Sequence, residues 1–442
     1  MRQDIRDHEL TAATLHGCLA DPALESMNFL NEIASRYPDA VSFASGRPFE
    51  EYFDVALIHG YLDAYCRYLR DELGYDEARV NRTLFQYGRT KGIVHELIAR
   101  ELAVDEKMTV DPEAIVVTVG AQEAMFITVR ALRADDRDIL LTVSPTYVGL
   151  TGAARLADMP VWPVLGGPSG IDLDDLARQV HRARAAGFRP RACYLIPDFA
   201  NPTGVSLTVS RRHELLDLAA AENILLLEDN PYGMFHDGTH QPVLKALDTR
   251  RQVIYLGTFA KTGFPGARVG YVVADQRVAT GGGRVSLLAD ELAKIKSMLT
   301  VNTSAIAQAV VGGKLLRHDY SMAAANRRET TAYLRNLRLL LDGLSRRFTA
   351  RNGSPAPVTW NSPRGGFFVV VTLPFPADDE LLGYCAREYG VLWTPMSHFY
   401  PGDGGQPIPA LHQVRLACSQ LTPDLIETGL DRFAAFVASQ RD

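Results

Sequence analysis

Lysine is scarce in this chain. Of 442 residues, 46 are Lys or Arg and 52 are Asp or Glu, but only seven are lysines: Lys91, Lys107, Lys245, Lys261, Lys294, Lys296 and Lys314. The remaining 46 − 7 = 39 basic residues are arginines. A net charge of −6 without any Lys/Arg block excludes charge-driven binding to nucleic acid or an anionic membrane. No apolar run approaches the roughly 20 residues of a membrane span; the longest, such as Phe367 to Val371, are strand-sized. The opening MRQDIRDHEL carries charges where a signal peptide needs an apolar stretch. Five cysteines, an odd number with no C-x-x-C pair, argue against a disulfide framework and a zinc ribbon. His95-Glu96 opens like H-E-x-x-H, but Ala99 stands where the second histidine belongs. These absences predict a reduced, cytoplasmic protein with no metal site and no membrane or nucleic-acid partner.

What is present is a globular composition, 47% hydrophobic and 22% charged, long enough for two to four domains or one two-lobed enzyme. Residues 1–45 read as an arm with one amphipathic helix around Leu24 to Tyr37, serving the small domain and a pocket. From about 55 to 105 the pattern is helical, interrupted by Gln86-Tyr87-Gly88. Then β-branched runs (Ala114–Val119, Ile139–Val143, Ala192–Ile196, Ile224–Glu228, Val253–Gly257, Ala267–Ala274) alternate with helical stretches such as Gln122–Leu132 and Ser210–Glu222. That alternation predicts an α/β domain with a mostly parallel sheet, spanning 46–310. Gly281-Gly282-Gly283 closes it, and one long helix, Val285 to Phe348, broken near Gly312-Gly313, leads into a smaller α+β domain at 311–442.

In open α/β sheets ligands bind beyond the carboxyl ends of the strands, and the unusual polar residues fall there. Ile115–Val119 ends at Gly120-Ala121-Gln122 and turns into a helix. Such a turn presents free N–H groups that suit a phosphate, or is mere topology. Tyr147, after Ser144-Pro145-Thr146, is a ring platform or ordinary packing. Asp198-Phe199-Ala200-Asn201-Pro202-Thr203-Gly204 reads as a turn, with Asn201 available as a donor. Asp229 and Tyr232 follow an apolar strand, and an acid there must find a cation or donors. Val253–Gly257 leads to Thr258-Phe259-Ala260-Lys261 and on to Arg268. The other lysines sit on helical or turn patterns and read as solvated, which isolates Lys261. A phosphate cup, an aromatic platform, an Asn, an Asp with a Tyr and a strand-end lysine together fit pyridoxal 5′-phosphate. That cofactor needs a lysine amine, and an acid against its ring nitrogen.

From Pro38 to Val437 the chain resembles the class I/II aminotransferases of pyridoxal-phosphate fold type I, in particular their kynurenine, 2-aminoadipate and aromatic branch. The resemblance rests on Asn201-Pro202-Thr203-Gly204, Glu228-Asp229-Asn230-Pro231-Tyr232, Thr258-Phe259-Ala260-Lys261 with Arg268, Pro363-Arg364-Gly365-Gly366-Phe367-Phe368 and Val414-Arg415-Leu416. It implies a ping-pong exchange of an amino group between an L-amino acid, aromatic or bulky, and a 2-oxo acid. In that scheme Lys261 carries the cofactor as an internal aldimine and moves the proton, and Asp229 pairs with the pyridinium. Tyr147 stacks on the ring, and Asn201 and Tyr232 bond its phenolic oxygen. The Ala121 and Gln122 backbone, Thr258 and Arg268 hold the phosphate. Tyr87 reaches the phosphate of a neighbouring subunit, which implies a homodimer with shared sites. Arg415 clamps the substrate carboxylate. Ala121 and Ala260 replace serines common in relatives, leaving fewer donors in the cup. Gly46, Arg47, Met396, His398 and Tyr400 are candidates for substrate selection, with packing as the alternative for Arg47, Met396, His398 and Tyr400. The arm Asp21–Arg47 and the turn Trp393-Thr394-Pro395-Met396 resemble transaminases of the 3,5-dihydroxyphenylglycine type, found in peptide-antibiotic metabolism. Two other readings compete. The same lysine and aspartate serve a non-transaminating enzyme of β- or γ-replacement, cyclisation or decarboxylation. An aminotransferase-like regulator would carry a basic winged-helix domain, for which the first 45 residues hold no pattern.

Overall fold

The structure, a computed structural model, describes residues 10–21, 24, 29, 32–238, 240–349, 358–401 and 409–440. The rest of the expected arm, at 1–9, 22–23, 25–28 and 30–31, lies outside these; Leu24, Phe29 and residues 32–36 are helical, as expected. In chain order the strands are β1 (Val41–Ser42), β2 (Ile115–Thr118), β3 (Asp138–Ser144), β4 (Val161–Gly167), β5 (Gly170–Ile171), β6 (Arg189–Leu195), β7 (Leu225–Asp229), β8 (Val253–Thr258) and β9 (Gly270–Val273), then a hairpin of β10 (Arg277–Thr280) and β11 (Arg284–Leu287). The C-terminal part adds β12 (Thr359–Trp360), β13 (Phe368–Thr372), β14 (Val391–Leu392), β15 (Thr394–Pro395) and β16 (Gln413–Ala417).

The large sheet has the order β2-β9-β8-β7-β6-β3-β4-β5. Helices such as Gly120–Leu132 and Val209–Ala221 return the chain between strands, which keeps β8, β7, β6, β3 and β4 parallel. β9 runs antiparallel to both its neighbours. Side chains alternate along each strand. Leu140, Tyr194, Leu227 and Leu256 share a core with the helix Gly120–Leu132, while Leu141, Cys193, Leu195 and Leu226 pack with Leu173–Ala185 and Val209–Ala221. With both faces covered, the strands read as near-continuous apolar runs. β4 escaped the sequence reading because Pro163 and its terminal glycines imitate a loop.

The smaller sheet, β12-β13-β16-β15, is antiparallel and shares its core with the helices Arg327–Phe348, Asp379–Tyr389 and Pro423–Ser439. β1 pairs with β14, so the segment before the large sheet joins this later unit.

Two expectations are corrected. The segment Val285 to Phe348 is not one helix broken at Gly312-Gly313. Its first residues form β11, and helices Leu288–Leu299, Ala305–Arg317, Met322–Ala325 and Arg327–Phe348 follow. Gly312 and Gly313 lie inside Ala305–Arg317, where a Cβ on Gly313 would come 1.7 Å from the Tyr61 carbonyl oxygen. These glycines let that helix cross Val55–Asp71 closely, and the crossing packs with the large sheet, across the expected boundary at 310/311. Second, the lysines other than Lys261 are not all solvated. Lys107 and Lys294 are exposed, but Lys91, Lys245, Lys296 and Lys314 are buried. Their ammonium groups find Asp290 at 2.6 Å, Asp275 at 2.6 Å, Glu123 at 2.8 Å, and the Thr262 carbonyl with the Asn326 side chain. An apolar stem with a paired head satisfies burial in a way that spacing along the chain cannot show. Among the arginines, Arg212 is likewise fully buried, paired with Asp198 at 2.6 Å. No described helix is long and apolar enough to cross a membrane.

Candidate active site

The carboxyl ends of β2, β3, β6, β7 and β8 open on a cavity of about 220 Å³, lined by Gly46, Arg47, Ala121, Gln122, Tyr147, Asn201, Asp229, Tyr232, Thr258, Lys261, Arg268 and Arg415 among others. One place therefore collects most of the residues singled out in the sequence.

Lys261 follows β8 and sends its Nζ into the cavity, where it donates to the Gly46 carbonyl at 2.8 Å. No carboxylate is bonded to it among the described residues, which distinguishes it from Lys91, Lys245 and Lys296. Burial, then the guanidinium groups of Arg415, Arg268 and Arg47, lower its pKa to about 8. Asp229 ends β7. Its neighbour Glu228 points to the opposite face and accepts the backbone N–H groups of Leu244 and Lys245 at 2.7 and 2.8 Å, so strand alternation leaves Asp229 alone in the cavity. Asp229 Oδ2 accepts from the Tyr194 hydroxyl at 2.7 Å. Oδ1 is buried and has no hydrogen-bond partner among the described residues. Burial raises this carboxyl to about 7, opposed by the Tyr194 hydrogen bond and by Lys261.

Arg415, on β16, is buried with no acid paired to it among the described residues. Nη1 donates to Asn201 Oδ1 at 2.7 Å and Nη2 to the Ala44 carbonyl at 2.6 Å, while Nε has no partner. The guanidinium lies 4.5 Å from the Phe368 ring centre and 4.8 Å from that of Phe399. A desolvated cation with an open N–H, held by carbonyls and aromatic faces, is built to receive a carboxylate. Burial lowers its pKa to about 10.

At the start of Gly120–Leu132 the N-cap residue, Val119, supplies no side-chain cap. Ala121 and Gln122, in its first turn, line the cavity together with Thr258 and Arg268, and the first N–H groups of a helix are left without partners inside it. Gly120 has φ +73°, and a Cβ on it would meet Arg268 Nη2 at 2.3 Å, so glycine is required for the guanidinium to reach the turn. No carboxylate pairs with Arg268 among the described residues. Tyr147, its hydroxyl raised to about 12 by burial, packs over Gly149, and Tyr232 stands edge-on to Phe367 and Phe368.

These features fit pyridoxal 5′-phosphate. The open Asp229 Oδ1 suits a protonated ring nitrogen, the turn with Arg268 suits the phosphate, and Lys261 suits the aldehyde carbon.

Other expected residues fall elsewhere. Tyr87 is 83% exposed and lines neither this cavity nor the second one described below. Met396 and Tyr400 line a second cavity of about 290 Å³, which shares Tyr147, Ile196 and Asn201 with the first and has no charged residue in its wall. His398 is not brought to either cavity; its Nε2 lies 2.7 Å from Asp379 and its ring stacks on Phe29, so it braces the arm against the helix Asp379–Tyr389. Sequence reasoning missed Tyr194, Ala44 and Thr394. Tyr194 left one signal, a hydroxyl within an apolar strand that needs a buried partner.

A profile of the aminotransferase class I and II family matches residues 61–433. Over 432 residues the chain is 57% identical to the (S)-3,5-dihydroxyphenylglycine transaminase of Amycolatopsis orientalis, covering 98% of this chain and 95% of that one. It is 27% identical to the aromatic-amino-acid aminotransferase 1 of Thermococcus litoralis, over 91% of this chain and 89% of that one. The fold superposes on kynurenine aminotransferase of Pyrococcus horikoshii with a TM-score of 0.78, at 24% identity, covering 99% and 98% of the two chains.

Proposed function

The chain belongs to the class I and II aminotransferases, with pyridoxal 5′-phosphate as cofactor, and from this premise we propose that its amino donor is an arylglycine of the (S)-3,5-dihydroxyphenylglycine kind. The observation that carries this reading is the 57% identity to a transaminase of that name along nearly all of both chains. The walls agree with an aromatic donor: Phe368, Phe399, Met125 and Val148 surround the polar groups of the cavity. The reported relatives are transaminases and lend nothing to replacement, cyclisation or decarboxylation.

The bound cofactor supplies an electron-withdrawing ring that takes up and returns the amino group. The chain's own residues divide the remaining work. Arg415, steadied by Asn201 and the Ala44 carbonyl, orients the substrate through its carboxylate. Lys261, with its pKa near 8, carries a free amine at mildly alkaline pH and moves the proton at the substrate Cα. Asp229 Oδ1 holds the ring nitrogen in its protonated form, while Tyr194 fixes the other oxygen. Tyr147 packs against the ring, Asn201 and Tyr232 hydrogen-bond its oxygen, and Ala121, Gln122, Thr258 and Arg268 hold the phosphate. Gly46 and Arg47 border the substrate side, and Met396 lines the second cavity and backs Val148 and Phe399 of the first.

The working unit in this reading is a homodimer. Phe85, Tyr87 and Met298 are large apolar side chains at 82%, 83% and 85% exposure, and a second copy that covered them would bring Tyr87 to the phosphate.

A donor panel tests the substrate. Purified holoenzyme is offered (S)-3,5-dihydroxyphenylglycine, phenylglycine, tyrosine, 2-aminoadipate and alanine against several 2-oxo acids, with the keto-acid product measured. The aryl donors are expected to turn over fastest; turnover of small aliphatic donors alone would overturn the assignment. Lys261→Ala is expected to lose both transamination and the visible absorption of lysine-linked cofactor while remaining folded.

A further inference from the structure

The turn that faces Arg268 contains an acid. Glu123 sits in the first turn of the helix Gly120–Leu132, where a carboxylate is ordinary in an exposed helix but repels a phosphate bound at the same end. Its side chain is turned behind the turn. Oε2 accepts the N–H of Val119 at 2.6 Å and the Nζ of Lys296 at 2.8 Å, and Oε1 accepts the Thr300 hydroxyl at 2.7 Å. Lys296 also donates to Thr300 Oγ1 at 2.9 Å, and its side chain is fully buried against the 8% exposure of Glu123. Nearby, Thr303 donates to the Val117 carbonyl at 3.0 Å. The helix Leu288–Leu299 and the residues after it are thus bolted to the last residues of β2, where strand becomes helix.

We infer that Lys296 is a positioning residue for the phosphate cup. It neutralises Glu123 from below, so that Glu123 can hold the Val119 N–H and shape the turn without opposing a dianion on the other side. With alanine at 121 and 260, the cup has few side-chain donors to spare, and an uncompensated acid beneath it would be felt. This inference rests on the reading of Gly120–Gln122, Thr258 and Arg268 as the phosphate site.

The test compares cofactors that differ only in phosphate. The chain, freed of cofactor, is titrated with pyridoxal 5′-phosphate and with pyridoxal, and the dissociation constant of pyridoxal divided by that of pyridoxal 5′-phosphate is read for each variant. Lys296→Met is expected to weaken pyridoxal 5′-phosphate about tenfold or more while leaving pyridoxal unchanged within about twofold. Lys296→Met with Glu123→Gln is expected to restore the wild-type ratio. Equal weakening of both cofactors, or of neither, would overturn the inference. If Lys296→Met does not fold, Glu123→Gln alone decides: a ratio at or above wild type supports the inference, and a fall in the ratio overturns it. Arg268→Met separates the two levels. If it weakens the phosphate-bearing cofactor selectively while Lys296→Met does not, the cup stands and the role of Lys296 fails. If it leaves the ratio unchanged, the cup itself is misplaced.

Discussion

The side chains at the centre of this site are held in states that water would not favour. Asp229 has one oxygen bonded to Tyr194 and one bonded to nothing, with its pKa lifted from the ordinary 3.8 to about 7. Between those values the folded, cofactor-free chain binds a proton that the unfolded chain has lost, so its stability falls as pH rises from about 4 to about 7. A protonated ring nitrogen at Oδ1 favours the carboxylate and removes that loss. The gap in melting temperature between holoenzyme and cofactor-free chain is therefore expected to widen from about pH 4 to 7, and to stay flat in Asp229→Asn; equal widening in the variant would contradict the assignment. The same variant should lose about 100-fold or more in transamination rate, the scale of removing one fixed electrostatic partner at a reacting centre. Much of this site was legible in the sequence because a parallel sheet gathers its strand ends at one edge, and polar residues there stand out against apolar runs. What stayed hidden were groups whose meaning lies in their partners. Tyr194 stood unmarked within an apolar strand, Lys296 looked solvated, and His398, a candidate for substrate selection or packing, is engaged by Asp379 and Phe29.

At the scale of elements, glycine carried two meanings in one alphabet. Gly312-Gly313 read as a helix break, yet the helix Ala305–Arg317 runs through both residues because they are where another helix crosses. The sequence offers the same letters for a breaker and for a close crossing; only the partner helix decides. Gly313→Ala would place a methyl against a backbone carbonyl that cannot rotate away, and is expected to cost about 3 kcal/mol or more of stability, near the upper end of overpacking. Gly281→Ala, in the hairpin turn with open space around it, should stay within about 0.5 kcal/mol. Urea unfolding of both variants checks the contrast, and similar midpoints would refute the crossing as the reason for the pair. β4 shows the converse: Pro163 and two glycines imitate a loop, yet residues 161–165 pair with β3 and the two glycines pair with β5.

At the scale of the molecule, the two sheets meet inside the site. Asn201 comes from the loop after β6 and Arg415 from the smaller sheet, and they are bonded to each other. Ala44 and Gly46, beyond β1, give their carbonyls to Arg415 and Lys261. One short segment therefore senses both the carboxylate clamp and the reactive amine. The proposed homodimer extends this sharing to a second copy. If Tyr87 serves the partner's site, a mixed dimer of Lys261→Ala and Tyr87→Ala chains holds one doubly damaged site and one intact site. Statistical mixing should then recover about one quarter of wild-type activity per chain at limiting cofactor; activity no greater than the sum of the separate variants would rule out shared sites. The lysine economy has a practical corollary. Of the seven lysines, Lys91, Lys245, Lys296 and Lys314 are buried and bonded within the fold, Lys107 and Lys294 are exposed although bonded to the Val104 carbonyl and Glu291, and Lys261 alone changes its availability with cofactor. An acylating reagent thus meets two constant lysines and one conditional lysine, and the change in labelling on adding cofactor becomes a count of occupied sites.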